Sequence, residues 1–315
     1  SASVGGRPGA PTVAAGKVFV ASAEEHAVSA FDAASGKLLW SFTAGGRVKI
    51  PPSYHRGLCL FGAGDGYAYC LNSSSGKLVW RFRAARTARR IVARGRVEST
   101  WPVDNGVLAV DGLACFAAGR HGEVDGGIDL YVVEAATGKP VWHKLVKGPF
   151  YPSLMATDGK TLALDDRDRF PLKNGSGKAN RLTIPAAAYS RHRIAPSYVL
   201  GRTATAAMRL RALVRAGEIA FAAGQLAPNK AEAPGFLAQK PRKGGSAVED
   251  APAIHPLAAP EHKPGDSKLW AFDKAGKKLG ELELAAAPMW DGLAAANGRL
   301  YLTTEDGKLR CYGKK

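Results

Sequence analysis

The sequence predicts an all-β protein, a β-propeller of about six four-stranded blades, and three observations carry that expectation. A two-residue turn ending in glycine opens an alternating apolar run six times: Ala15-Gly16, Arg56-Gly57, Asp111-Gly112, Asp158-Gly159, Ala216-Gly217 and Asn297-Gly298. The first three copies continue into an apolar strand, a Gly-Lys turn and a tryptophan, over 30–40, 70–80 and 132–142. The copies are spaced by roughly 40 residues, the length a four-stranded blade needs.

Each element follows from local pattern. In the first copy Val18-Phe19-Val20-Ala21, Ala27-Val28-Ser29-Ala30-Phe31 and Leu38-Leu39-Trp40-Ser41-Phe42 alternate with period two between turn residues. A fourth strand precedes the glycine and begins at a proline (Pro11, Pro52, Pro288), where no ladder N–H is lost. Residues Ser1 to Arg7 align with Ser41 to Arg47, and the last copy stops at Arg310-Cys311-Tyr312 without a tryptophan strand. Residues 1–6 are therefore expected to add the outer strand of the final blade, closing the ring so that no edge is bare. Residues 165–205 read as a rudimentary extra blade, which makes seven blades the alternative. Gln225 to Gly265 is rich in Pro, Ala and Lys, too poor in apolar residues to pack, and reads as a mobile insertion within one domain, 1–315. Beyond it, Gly280 stands where earlier copies carry tryptophan.

The 315 residues are 46% hydrophobic, enough for a core, and contain no apolar run of 18 that would span a membrane. The chain opens at Ser1 without a targeting segment, as a processed protein or a piece of a longer chain would, and is expected to be monomeric. Forty-four Lys and Arg against 27 Asp and Glu leave a net charge of +17, which favours an acidic partner, a protein or an acidic polysaccharide. The four cysteines occupy strand-like apolar positions and read as buried hydrophobes. A hairpin over Ala63-Gly64-Asp65-Gly66 would set Cys59 against Cys70, a geometry in which a disulfide is allowed.

No motif supplies a catalytic constellation. The seven histidines lack metal-ligand spacing, and Asp165, Asp166 and Asp168 are neutralised by Arg167 and Arg169. Glu123, Asp125 and Asp129 around Gly126-Gly127 form a somewhat better oxygen-ligand set. A nucleophile elbow and a phosphate-cradling loop are absent. One charge feature stands apart: seven arginines between Arg81 and Arg96. If 84–93 forms a helical turn, Arg86, Arg89, Arg90 and Arg94 share one face and can grip a polyanion, against the plainer reading of a solvated linker. Nucleic acid is disfavoured because the patch lacks stacking aromatics.

The string from Ala30-Phe31-Asp32 to Ser35-Gly36-Lys37-Leu38-Leu39-Trp40, with relatives ending at Trp80 and Trp142, resembles the tryptophan-docking motif of the quinoprotein-like (PQQ-like repeat) β-propellers. That superfamily includes pyrroloquinoline-quinone alcohol dehydrogenases and the scaffold lipoprotein of the outer-membrane β-barrel assembly machinery. The stretches 45–48, 51–55 and 288–301 are similar to propeller proteins of planctomycete-type bacteria. The resemblance implies that Trp40, Trp80 and Trp142 dock between blades. A quinone dehydrogenase of this superfamily would also need adjacent cysteines and a Glu, Asn and Asp calcium set with an Asp base. The chain has no Cys-Cys pair, and no stretch aligns with that calcium set. The expected function is thus a non-catalytic binding or scaffold propeller, periplasmic or extracellular, with no catalytic residue, cofactor or metal. The alternative is a quinoprotein-type oxidoreductase or a degenerate remnant of one.

Overall fold

The computed structural model describes residues 1–93, 95–148, 152, 155–164, 169–176, 208–226 and 266–313. A short N-terminal strand, β1 (Ala2–Ser3), precedes a first sheet of β2 (Thr12–Ala14), β3 (Lys17–Ser22), β4 (Ala27–Asp32) and β5 (Leu38–Thr43). The second sheet holds β6 (Ser53–His55), β7 (Leu58–Gly62), β8 (Tyr67–Asn72) and β9 (Leu78–Arg83). A two-stranded ribbon, β10 (Arg90–Ala93) and β11 (Arg96–Ser99), interrupts the series. The third sheet is β12 (Leu108–Val110), β13 (Leu113–Ala118), β14 (Ile128–Glu134) and β15 (Pro140–Val146). A three-stranded fourth sheet comprises β16 (Ala156–Thr157), β17 (Thr161–Ala163) and β18 (Arg169–Pro171). The fifth is β19 (Met208–Ala216), β20 (Ile219–Leu226), β21 (Ser267–Phe272) and β22 (Lys278–Glu283). In the last, β23 (Pro288–Ala296), β24 (Arg299–Thr304) and β25 (Lys308–Gly313) are joined at the edge by β1, with Ala2 opposite Leu309 and Ser3 opposite Lys308. The fold is a β-propeller of antiparallel sheets, and no helix occurs among the described residues.

Each of the six glycine turns joins the first two strands of one sheet. In four of them both central residues have positive φ, as at Ala15 (48°) and Gly16 (71°), the mirror-image turn whose twist matches that of the flanking strands. The cores lie between consecutive sheets. Phe19, Val28 and Ala30 of the first pack with Cys59, Phe61 and Leu71 of the second, while Leu60 and Cys70 on the opposite face pack with Cys115, Phe116 and Val132 of the third.

That alternation corrects the disulfide expectation. The hairpin closes with Gly62 opposite Ala68, so Cys59 faces Leu71 and Cys70 faces Leu60. The two thiols therefore point to opposite sides of the sheet, and both are free. The helical turn expected over 84–93 is likewise absent: β-branched Ile91, Val92 and Val97 alternate around a turn at Gly95 (φ 72°), and the segment from Arg90 onward is the ribbon. Gln225 and Leu226, placed in the insertion by composition, still belong to β20, with Gln225 opposite Ser267; residues 227–265 lie outside the described residues. Of the proposed extra blade, residues 169–171 belong to the fourth sheet as β18, and 165–168 and 177–205 lie outside the described residues.

Candidate functional site

The sheet registers gather one set of connections at one face. Ser22 pairs with Ala27 and Ala27 with Thr43, so the β3–β4 connection and the exit of β5 lie at the same end; Gly62, Ala68 and Phe82 repeat this in the second sheet, and Ala118, Asp129 and Leu145 in the third. The connections are knitted by backbone bonds. Gly64 N–H donates to Arg47 O (2.9 Å), Ser99 N–H to Gly64 O (2.8 Å), Val103 N–H to Ala63 O (3.0 Å) and Gly119 N–H to Pro102 O (3.1 Å). Residues 44–52, 63–66, 85–93, 95–107 and 119–127 thus form one continuous loop surface.

Two charge clusters sit in that surface. Glu98 on β11 is 4% exposed, and its carboxylate receives Arg47, Arg120 (3.0 Å) and Lys49 (3.4 Å). Lys49 also reaches Asp104 (2.5 Å). A buried carboxylate keeps its charge only with such compensation, so three cations from two loops converge on one anion. In the second cluster buried Asp129 accepts from Arg86 Nε (2.5 Å) and bonds His143 Nε2 (2.8 Å). Arg86 further donates to Asp125 O and Gly126 O (each 3.3 Å) and lies over the Trp101 ring. His143 stacks on Tyr131, whose hydroxyl burial pushes up to about 12, with Asp129 adding to the shift and Arg86 opposing it.

The arginines singled out from sequence separate in the structure. Arg86 is bonded to Asp129 and the 125–126 backbone. Arg89 and Arg90 are exposed at the root of the ribbon, and Arg94 lies outside the described residues. The oxygen-ligand set is also dispersed: Asp129 is held by Arg86 and His143, Asp125 contributes its carbonyl to Trp101 Nε1 (3.0 Å), and Glu123 is exposed. Composition alone missed Glu98, Arg47 and Arg120. The signal was present in Glu98 as the lone acidic residue of an otherwise basic, alternating Arg96-Val97-Glu98-Ser99 strand.

The tryptophans reach across sheet boundaries. Trp40 Nε1 donates to Ser73 O (3.0 Å), Trp80 Nε1 to Ala135 O (2.9 Å) and Trp142 Nε1 to Leu172 O (2.8 Å). Each ring lies on a glycine of the next sheet: an added Cβ would stand 2.7 Å from Trp40 at Gly76, 2.8 Å from Trp80 at Gly138 and 2.7 Å from Trp142 at Gly175. Trp40 is buried, while Trp80 and Trp142 are half-buried.

A quinone site does not fit these residues. Cys59, Cys70 and Cys115 are separately buried, burial pushes all three thiols up, and the central carboxylates are occupied by cations. Among the described residues no group of three His, Cys, Asp or Glu converges as metal ligands would.

Four-stranded sheets linked by indole-on-glycine contacts define the class, a β-propeller of PQQ-like repeats. A family model described as outer membrane protein assembly factor BamB matches residues 1–109 and 64–209, well over half of the sequence. The chain belongs to that family. Similar solved structures include BamB from Moraxella catarrhalis, at 15% identity and TM-score 0.38, covering 97% of this chain and 69% of that one. The computationally designed Ika8 protein has 11% identity and TM-score 0.41 (98% and 71% covered). The quinohemoprotein alcohol dehydrogenase ADHIIG from Pseudomonas putida HK5 has 15% identity and TM-score 0.40 (96% and 56% covered). These likenesses are loose, and membership rests on the family match. No curated protein matches the chain significantly.

Proposed function

We propose that this protein is a non-catalytic scaffold propeller, working outside the cytoplasm in the periplasm or extracellularly, that presents its loop face to a protein partner. In this reading residues 1–315 form one domain of six blades, β1 closes the ring on β25, Trp40, Trp80 and Trp142 hold neighbouring blades together, and 227–265 is an insertion between β20 and β21. The observation that carries the functional part is the state of the charged groups on the loop face. Glu98, Asp129, Arg47, Arg86 and Arg120 are engaged with one another, so these groups brace a surface rather than stand free for a substrate. A family described by the assembly of outer membrane proteins supports a protein as the partner. An anionic glycan gripped by Arg89, Arg90 and Arg94 is the other occupant that a +17 chain invites. The quinoprotein oxidoreductase is the second reading, and it lacks the adjacent cysteines such an enzyme uses. Titration with pyrroloquinoline quinone and Ca²⁺, followed by visible absorbance and by reduction of an artificial electron acceptor with primary alcohols, tests the choice. No spectral change and no reduction are expected; saturable binding with turnover would replace the scaffold reading by the enzyme.

A further inference from the structure

We infer that the β10–β11 ribbon is a docking finger for an extended acidic segment of a partner protein, an inference that rests on the scaffold reading. In an antiparallel pair, residues directly opposite share a face. Ile91 lies opposite Glu98 and Ala93 opposite Arg96, while Arg90 lies opposite Ser99 and Val92 opposite Val97. Glu98 fixes which face looks inward, because its carboxylate is buried beneath Arg47, Lys49 and Arg120. The alternate face looks outward at Val92 and Val97 and is covered only at the root, where Ser99 is buried. Val92 and Val97 on it are 75% and 61% exposed, the two most exposed large apolar side chains among the described residues. A cross-strand valine pair normally contributes to a sheet by being covered. Here it is held in solvent by a buried ionic anchor at the ribbon's root.

The chemistry of the occupant follows from what surrounds the pair. Arg90 shares the face of the pair, Arg89 stands just before the ribbon and Arg96 projects from the opposite face; all three are exposed, and the ribbon's single acidic residue, Glu98, is buried. Among the described residues neither β10 nor β11 has another strand partner, so apart from Ser99, whose N–H donates to Gly64 O, the ribbon edges are open to an added strand. A strand laid along the ribbon, alternating apolar and acidic residues, would set its apolar side chains on Val92 and Val97 and its carboxylates against the arginines. A second copy of this chain would bring like charges together. A sulfated glycan would use the arginines and leave the valines uncovered.

The test uses the full chain and a fluorescein-labelled octapeptide alternating Glu and Val, read by anisotropy at neutral pH. Saturable binding is expected, at least ten-fold weaker for an octapeptide alternating Glu and Ser, and undetectable for one alternating Lys and Val. V92S/V97S should weaken the Glu-Val peptide at least ten-fold with an unchanged circular dichroism spectrum and melting temperature, and R89E/R90E should abolish binding. On the unaltered protein, the peptide should slow hydrogen exchange of amides in 90–93 and 96–99. Equal binding of the Glu-Val and Glu-Ser peptides, or full retention by V92S/V97S, would assign the effect to net charge and overturn the proposal. So would a heparin fragment that binds more tightly than the peptide and ignores both valines. Absence of peptide binding would also overturn it while leaving the scaffold reading to the quinone titration.

Discussion

The joints between the first four sheets differ in kind from the joint between the fifth and sixth. From the first to the fourth sheet a single device recurs: an indole lies on the next sheet's turn glycine and donates to a carbonyl beside it. The fifth sheet has Gly280 at the position in question, and an added Cβ there would touch nothing within 4 Å. Its joint is built from Ala212, Ala223, Leu269, Leu284, Leu293 and Leu302, with Arg211 paired to Glu305. A third arrangement joins the sixth sheet to the first, where Tyr301 Oη donates to Ala33 O (3.3 Å) and Arg299 to the same carbonyl (3.2 Å). The comparison teaches that the repeated motif is one way to fix the angle between blades, and that an apolar seam with a polar latch serves equally where the motif has lapsed.

The largest expected effect breaks the repeated joint. Trp80→Ala removes a ring that fills the space over Gly138 and should cost about 3–5 kcal/mol in chemical denaturation. Arg211→Met, at the fifth joint, should cost about 1 kcal/mol or less, because both members of that pair are partly exposed. Trp290→Ala, on a ring 54% exposed, should fall within about 0.5 kcal/mol. If Trp80→Ala were no worse than Trp290→Ala, the indole contacts would be ornament and the apolar seams would hold the blades everywhere.

The loop face sharpens the same contrast, since its joints are ionic. Glu98→Gln leaves Arg47, Lys49 and Arg120 facing an uncharged amide. All three cations retain some solvent, so a loss of about 2 kcal/mol is expected, less than for a fully enclosed pair. Glu281→Gln, whose exposed carboxylate pairs with Lys268 and Lys278, should leave the denaturation midpoint essentially unchanged. Equal losses at both positions would show that the buried cluster is no anchor.

These two kinds of joint were unequally legible. The glycine turns, the strand order within each sheet and the pairing of residues near the N-terminus with the last strand could be read because period-two alternation and turn chemistry are local, and the repeat supplies the same message six times. The ribbon was misread because an arginine-rich stretch carries helical spacing and strand alternation at once; Ile91, Val92 and Val97 decide for the strand only when the turn at Gly95 is recognised. The Cys59 to Cys70 relation failed by one residue of register, which a hairpin loop length sets and composition does not. The Glu98 cluster unites residues 47, 49, 98 and 120, and nothing local marks partners separated by 22 to 51 positions.

A smaller effect separates ring contact from backbone strain. Gly76 and Gly36 occupy equivalent turns, with φ of 70° and 75°, so alanine is strained at both. An added Cβ at Gly76 meets Trp40 at 2.7 Å, whereas at Gly36 it meets only Ala2 Cβ at 4.0 Å. Gly76→Ala should therefore exceed Gly36→Ala by about 1–2 kcal/mol, the cost of displacing a packed ring. Equal melting points for the two variants would place the whole penalty in the backbone.

The smallest perturbation needs no substitution. Cys311 is exposed, whereas burial pushes Cys70 and Cys115 up to about 12 and raises Cys59 as well. At pH 8 a thiol reagent should label one cysteine rapidly, with the other three reacting only as the sheets open, because the thiolate is the reactive form and the buried sites disfavour it. The sign of the stability effect follows from the same shifts. A thiol or phenol whose folded value is raised contributes stability that is fully present below its unfolded value, 9.0 for these thiols and 10.0 for Tyr131, and that is lost as the pH climbs toward about 12. Unfolding free energy should hold steady from pH 7 to about 9 and then decline, with the three slow thiols becoming reactive over the same interval. Rapid labelling of a second cysteine at pH 8 would mean that one of the first three sheets opens independently, and the indole joints that separate them from the fifth would lose their claim to be the stiffer kind.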